Sequence, residues 1–246
     1  MHGLAKAKLD VMEAAFMGPG PLRPRDAGTL ILIDRQDGAF RVLMGRRHMR
    51  HAFMPGKYVF PGGRTDPADS RVAVASHLHP REEQSLTAGT GRTSPTRARA
   101  IALSAIRETY EESGLLIGEK GAFVSAKADW QAFADHGVRP SLSGLRMIAR
   151  AITPPGRVRR FDTRFLAAWR DDVAVALPDG GPTDELEEQV WLPIAEAKHT
   201  DVADITRTIL GELERRLAGD PELTPGGPIP CYRMIRKTFI REILET

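Results

Sequence analysis

Cysteine is almost missing from these 246 residues. Cys231 stands alone, which excludes an intrachain disulfide and any zinc site assembled from several thiolates. Long apolar runs are missing too. The best, Leu30 to Ile33, stops at Asp34, far short of the roughly 20 residues a helix needs to cross a bilayer. Near the N-terminus Lys6 and Lys8 are present, but Asp10 and Glu13 break up the apolar residues after them, so no signal peptide is expected. A cytoplasmic chain with no membrane partner is the expectation. Lysine is scarce, seven residues against 28 arginines. Guanidinium groups suit phosphate recognition, although genomic base composition explains the same bias and both readings stay open. With a net charge of only +3 and no basic tract, no nucleic-acid partner is expected. Gly and Pro, 23 and 18 residues, are too few for a fibrous chain, and 41% hydrophobic with 27% charged residues is ordinary globular usage. A chain of this length buries a core without staples.

What is present reads as alternating strands and helices. Gly28 to Asp34 (GTLILID) predicts a buried strand, with Phe40 to Arg46 as its partner across Gln36-Asp37-Gly38. Pro61-Gly62-Gly63 marks a backbone path closed to larger residues. From Arg71 to Pro95 the character changes to a short helical piece (VAVASHLH) and then a polar run, read as an insertion. A strong helix is predicted from 95 to 113, with Ser94 as N-cap, Pro95 at its first position and Gly114 ending it. Strands are expected at Leu145–Ile152, Phe161–Trp169 and Glu185–Leu192. Helices are expected at Ala128–His136, from Thr200 to Ala218, and as a last basic segment from Tyr232 to Leu244.

The residues that carry chemistry are Arg107-Glu108-Thr109-Tyr110-Glu111-Glu112-Ser113-Gly114-Leu115. At 100° per residue, Glu108, Glu111 and Glu112 share one arc of the helix, opposite Ala102, Leu103 and Ile106. Three like charges at this spacing repel, and they sit at the helix end whose dipole disfavours anions. A hard divalent cation, Mg²⁺ or Mn²⁺, relieves both penalties. A solvated acidic face is the competing reading of the cluster alone.

The cluster is framed by Gly62-Gly63 before it and Gly114-Leu115 after it, and this arrangement resembles a Nudix box. Arg107 to Leu115 matches the second half of that pattern, Arg-Glu-aliphatic-X-Glu-Glu-X-Gly-aliphatic, at every position except Thr109. The first half departs: Asp69 stands where the pattern has Glu, and 37 residues separate it from Arg107 where seven are usual. A surface insertion of that size costs little loop entropy, and a long functional loop there is expected to cover the active-site mouth. The resemblance implies a Nudix-type α/β/α sandwich with a mixed sheet, an insertion within the box (70–95) and an extra C-terminal helix. The expected organisation is an extension over 1–26, the hydrolase domain over 27–220, and a linker and helix over 221–246.

The resemblance further implies that Glu108, Glu111 and Glu112 ligate metal, that Arg107 orients them, and that water attacks a diphosphate linked to another moiety. A later-loop glutamate often assists in this family. Glu185, Glu187 and Glu188 are the candidates here, Glu188 being favoured. Gly62, Gly63, Arg46, Arg159 and Arg160 are expected at the substrate, the arginines as phosphate clamps. Tyr58, Phe60 and Trp191 either stack on the substrate or belong to the core. Phe53 to Gly63, Ile152-Thr153-Pro154 and Arg159 to Phe165 are similar to the Nudix branch that contains the peroxisomal coenzyme A diphosphatase with an inserted box. The C-terminal Leu244-Glu245-Thr246 is not a peroxisomal tripeptide, and no Leu-Leu-Thr-X-Thr run precedes Pro61. Coenzyme A or an acyl derivative is thus one expected substrate. ADP-ribose, dinucleotides, nucleotide sugars, or ligand binding without catalysis are the alternatives. The last helix leaves a homodimer open.

Overall fold

The structure, a computed structural model, describes residues 22–50, 55–89, 94–157 and 159–245. In chain order, β1 (Arg25–Gln36) turns into β2 (Ala39–Arg47) through Asp37 and Gly38, both at positive φ, the backbone that a two-residue hairpin turn demands. Two short strands follow, β3 (Tyr58–Val59) and β4 (Gly62–Arg64), then helix α1 (Pro80–Thr87) and the long α2 (Pro95–Ser113). Next come β5 (Leu115–Lys120), α3 (Gln131–Asp135), β6 (Val138–Pro140), β7 (Arg146–Ile152), β8 (Phe161–Trp169), β9 (Val173–Ala176) and β10 (Leu186–Pro193). The chain ends with α4 (Ile194–Ala197), α5 (Asp204–Gly219), β11 (Ile229–Ile235) and β12 (Thr238–Leu244).

Nine strands form one mixed sheet in the order β10-β2-β1-β8-β7-β11-β12, with β3 added to β2 and β4 to β1. The β1–β8 and β7–β11 pairs are parallel. A smaller sheet has the order β6-β5-β9. Alternation along β1 builds both sides of the core. Leu30 and Leu32 pack with Ile101, Leu103 and Ile106 of α2, while Ile31 and Ile33 pack with Ile209, Leu210 and Leu213 of α5. A central strand covered on both faces has no polar side to show, hence the Leu-Ile-Leu-Ile run. The architecture is the expected α/β/α sandwich.

Helix α2 has the predicted bounds. Ser94 Oγ accepts from the Arg97 amide at 3.4 Å, Pro95 occupies the first turn, and Gly114 stops the helix at φ 73°. The later helix begins at Asp204, with Ala203 and not Thr200 before it.

The insertion differs from its prediction. Residues 72–79 are extended or bent, and the helix falls on the polar Pro80–Thr87 instead. His79 Nδ1 caps that helix by accepting from the Arg81 amide, and Pro80 opens it, local signals that outweigh the apolar spacing upstream. Buried Glu82 accepts from the backbone amides of Met147 (2.7 Å) and Gly226 (2.8 Å). Arg99 donates to the carbonyls of Ser70 and Val72, and Arg150 to that of Ala88. The described part of the insertion is therefore bound to α2, to β7 and to the segment before β11.

The C-terminal helix is a correction. Tyr232–Leu244 folds as two strands joined through Arg236 and Lys237, both at positive φ. The parallel edge of β7 accepts β11 at Cys231 and Tyr232, and β12 then covers β11 over seven residue pairs. Residues 229–244 thus belong to the main sheet, so 221–246 is no separate linker and helix. The N-terminal boundary shifts as well, since Arg25 and Asp26 already lie in β1. Residues 1–21 of the expected extension lie outside the described residues.

Candidate active site

The site is assembled where the last two turns of α2 cross β4. Pairing of Gly62 and Gly63 with Thr29 and Gly28 of β1 lays the Gly-Gly backbone beneath the helix. The Gly62 amide donates to Glu112 Oε2 at 3.0 Å. Glu108 lies so close to Gly63 that a Cβ there would stand 2.3 Å from Glu108 Oε2, and only glycine leaves that carboxylate its place. The loop before β10 and β10 itself cover the helix end: Thr183 donates from its amide and its hydroxyl to the Glu111 carbonyl, and Gln189 Nε2 of β10 donates to the Glu112 carbonyl. Helix carbonyls that have no partner in the helix are satisfied in this way.

Arg107, 7% exposed, is the hub. Its Nη1 lies 2.8 Å from Glu111 Oε2, its Nη2 2.8 Å from Glu108 Oε1, and its Nε 3.1 Å from Asp69 Oδ2. Nη2 also donates to the Arg64 carbonyl. A planar fork of five donors suits this division among three carboxylates. Asp69, which the interrupted box left without a role in the sequence, is 1% exposed and receives a second hydrogen bond from Trp130 Nε1 at 3.0 Å.

Burial dominates the titration of the cluster. It pushes Glu108 up to about 7 against the pull of Arg107, with Glu111 and Glu185 adding to the rise. It pushes Glu112 up to about 8, offset by the Gly62 amide and reinforced by Glu108 and Glu185. Glu111 is raised by burial and lowered by Arg107. The acids Asp69, Asp129 and Glu185 act on the cluster beside the three box glutamates themselves, opposed by Arg107 and Arg47, while Lys127 faces Asp69. This gathering of hard oxygen donors, partly buried at the end of α2, fits Mg²⁺ or Mn²⁺. In this arrangement Glu108 and Glu111 face Arg107, and among the described residues no three acidic, His or Cys side chains converge as a ready ligand set.

The later-loop glutamates divide clearly. Glu185 carries an ion pair with Arg47 (3.0 Å) and acts on both Glu108 and Glu112. Glu188, favoured from the sequence, faces Arg46 (3.2 Å) and the Tyr58 hydroxyl (3.0 Å), while its neighbour Gln189 faces the helix end. A register shift between Leu186 and Glu188 makes strand position unreadable from spacing alone. Arg46 also lies 3.7 Å from Glu187. Arg159 is exposed, and Arg160 donates to the carbonyls of Thr153 and Leu22. Neither has a contact with the box carboxylates among the described residues, so Arg160 is a brace for the approach to β8. Of the three aromatics considered at the substrate, Phe60 is core, Trp191 lies beneath Arg170, and Tyr58 alone reaches an ionised side chain of this region. Trp130 carried no signal at its separation from the box, Asp69 only its position six residues after Gly63, and Arg47 only its place in the basic stretch Arg46-Arg47-His48 after the second strand.

No family model matches the chain. Among solved structures, a NUDIX hydrolase from Alicyclobacillus acidocaldarius is 25% identical, with a TM-score of 0.59 over 81% of this chain and 93% of that one. The fold is that of the Nudix hydrolases. More distant Nudix similarities include RenU from M. Smegmatis (15% identity, TM-score 0.44, 83% of this chain and 98% of that one). Another is the NUDIX domain of Shewanella oneidensis NrtR, solved with ADP ribose (12% identity, TM-score 0.46, 80% and 90%). On this Nudix fold the box residues stand together at the end of α2, and the strand that carries Gly62 and Gly63 runs against them. No described helix is long and apolar enough to cross a membrane.

Proposed function

We propose that this chain, a Nudix-type pyrophosphate hydrolase, uses Mg²⁺ or Mn²⁺ to hydrolyse a diphosphate linked to another moiety, with coenzyme A or its acyl derivatives as the leading substrate class. The observation that carries the reading is the trio Glu108, Glu111 and Glu112, the last buried and the other two half-buried, gathered at Arg107 and Gly62-Gly63. Those three carboxylates would hold the metal, which when bound supplies charge neutralisation at the diphosphate and a more acidic water. Arg107 keeps two of them oriented and aligned. Glu185, set beside Glu108 and Glu112, is the side chain best placed to receive a proton from the attacking water; Arg47 holds it. Arg46 and Tyr58, with Glu187 and Glu188, form the polar rim where the non-reacting part of the substrate would rest.

The preference for coenzyme A comes from the resemblance of the Pro-Gly-Gly run and the interrupted box. Part of that resemblance, Arg159 to Phe165, is architectural here. Asp162 and Arg164 are buried and belong to an ion-pair network with Arg150, Asp26 and Arg97.

Incubation with coenzyme A, acyl-coenzyme A, ADP-ribose, NADH and nucleotide sugars, under Mg²⁺ and then Mn²⁺, with product analysis, tests the reading. Conversion of coenzyme A to 4′-phosphopantetheine and adenosine 3′,5′-bisphosphate is expected. Preference for another member replaces the substrate, and no turnover of any member favours a binding domain. Glu111→Gln and Glu112→Gln are expected to lower turnover by roughly 10²-fold or more with the fold retained. Full activity in both would remove the site assignment.

A further inference from the structure

Trp130 has no part in the proposed reaction, yet it is the largest side chain with no exposure at all. It sits just before α3, in the connection between β5 and β6, far in sequence from the box. Its ring packs at 4.9 Å from Phe133, and Phe133 in turn packs edge-on at 5.7 Å against Tyr110 of α2. Its single donor, Nε1–H, is spent on Asp69 Oδ1 at 3.0 Å, while Asp69 Oδ2 takes Nε of Arg107 at 3.1 Å. Lys127, three residues before Trp130, brings its ammonium to 3.6 Å from Asp69 Oδ1 and has no hydrogen-bond partner for that buried nitrogen. One carboxylate is thus gripped on one oxygen by the Lys127–Trp130 segment and on the other by the residue that orients Glu108 and Glu111.

We propose that Trp130 is a positioning residue for the metal-binding carboxylates, acting through Asp69 and Arg107; this rests on the metal-dependent reading of the site. Asp69 arrives from a 3-10 turn at Pro67–Arg71, at the start of a long insertion, so the chain on its C-terminal side gives it no short covalent link to α2. An aspartate has one free torsion beyond χ1, and with a single partner it could turn away from Arg107. The indole N–H defines the second oxygen and so fixes the plane of the carboxylate. Arg107 then presents Nη1 and Nη2 to Glu111 and Glu108 in one orientation. Groups that orient metal ligands commonly control affinity by 10–100-fold.

The test uses Trp130→Phe in the full chain, which retains an aromatic ring against Phe133 while removing the donor and some buried volume. Mn²⁺ binding is followed by the electron paramagnetic resonance of free Mn²⁺, and turnover is measured as a function of Mn²⁺. The expected result is binding weaker on the order of tenfold, a matching rise in the Mn²⁺ needed for half-maximal turnover, and kcat at saturating Mn²⁺ within about twofold of wild type. A purely structural loss would lower the active fraction and leave the Mn²⁺ midpoint in place, and that result overturns the proposal. Should Trp130→Phe not fold, Asp69→Asn, equal in size, removes the charge that both partners read. An unshifted midpoint in folded Asp69→Asn likewise overturns it. Wild-type protein that binds no Mn²⁺ would instead fail the metal reading itself, an outcome separate from wild-type binding that the variants share unchanged.

Discussion

Glu185 and Glu188 are three residues apart on the chain and chemically identical, but their surroundings assign them different work. Glu185 lies in the field of the box, raising Glu108 and Glu112, with Arg47 at 3.0 Å. Glu188 is engaged at the rim by Arg46 and Tyr58, and burial together with this carboxylate raises the Tyr58 hydroxyl above its usual range. Glu185→Gln is therefore expected to reduce kcat, by roughly 10²-fold or more if it serves as general base. Glu188→Gln should alter KM for substrates that differ in their non-reacting portion while leaving kcat within a fewfold. Steady-state kinetics of both variants on the preferred substrate checks this, and a larger kcat loss in Glu188→Gln would reverse the two roles. The difference between their surroundings has a local cause. The bulge before Glu188 changes which residues of β10 look toward α2, and bulges leave no composition mark that spacing could reveal.

At the scale of elements, α2 and α1 form by the same means and serve different ends. Ser94, Pro95 and Gly114 define α2 locally, and its fully buried Ile101, Leu103 and Ile106 hold it to the sheet. The shorter α1 is held by Glu82, whose carboxylate satisfies two backbone amides from distant parts of the chain. The insertion carried an expectation of a cover over the active-site mouth. Its described part is held to α2, to β7 and to the approach to β11. Glu82→Ala is expected to lower stability by about 1–3 kcal/mol for each orphaned amide, seen as a lower urea midpoint, with the ranking of substrates unchanged. A changed ranking in folded Glu82→Ala would return the insertion to the active site.

Across the whole molecule, buried or half-buried acids tie the sheet to α2 and α5, and their protonation loosens it. Burial raises Glu212 of α5, but hydrogen bonds from Arg241 and Tyr232 and the charge of Arg215 outweigh it and hold the carboxyl below its usual 4.5. Asp26 is likewise raised by burial and lowered further by Arg97 and Arg164, so that it lies below 3.8. A carboxyl depressed by folding contributes stability that is fully present above its unfolded pKa and is lost as pH falls through the folded value. The melting temperature is therefore expected to be flat in these two groups above pH 4.5 and to fall as the solution is acidified below it. In Glu212→Gln the deficit relative to wild type should be full above pH 4.5 and shrink below it. A deficit that stays constant down to about pH 3 would mean that Glu212 does not couple the C-terminal hairpin to α5 through its charge.

Local chemistry was enough for the sequence to determine the strands β1, β2 and β8, the helix α2 with its caps, and the three glutamates on one helical face. Each depends on residues within a few positions of one another, through periodicity, capping and left-handed glycine. Tertiary structure alone decided three things. Asp69 returns to Arg107 across the inserted residues because Trp130 and Arg107 each bond one of its oxygens. Glu185 acts on Glu108 and Glu112 while Glu188 meets Arg46 and Tyr58, with a register shift lying between the two. Tyr232–Leu244, amphipathic enough for a short helix, becomes a hairpin because the exposed edge of β7 offers its backbone hydrogen-bonding groups to a strand, and a partner that distant leaves no pattern in the segment itself.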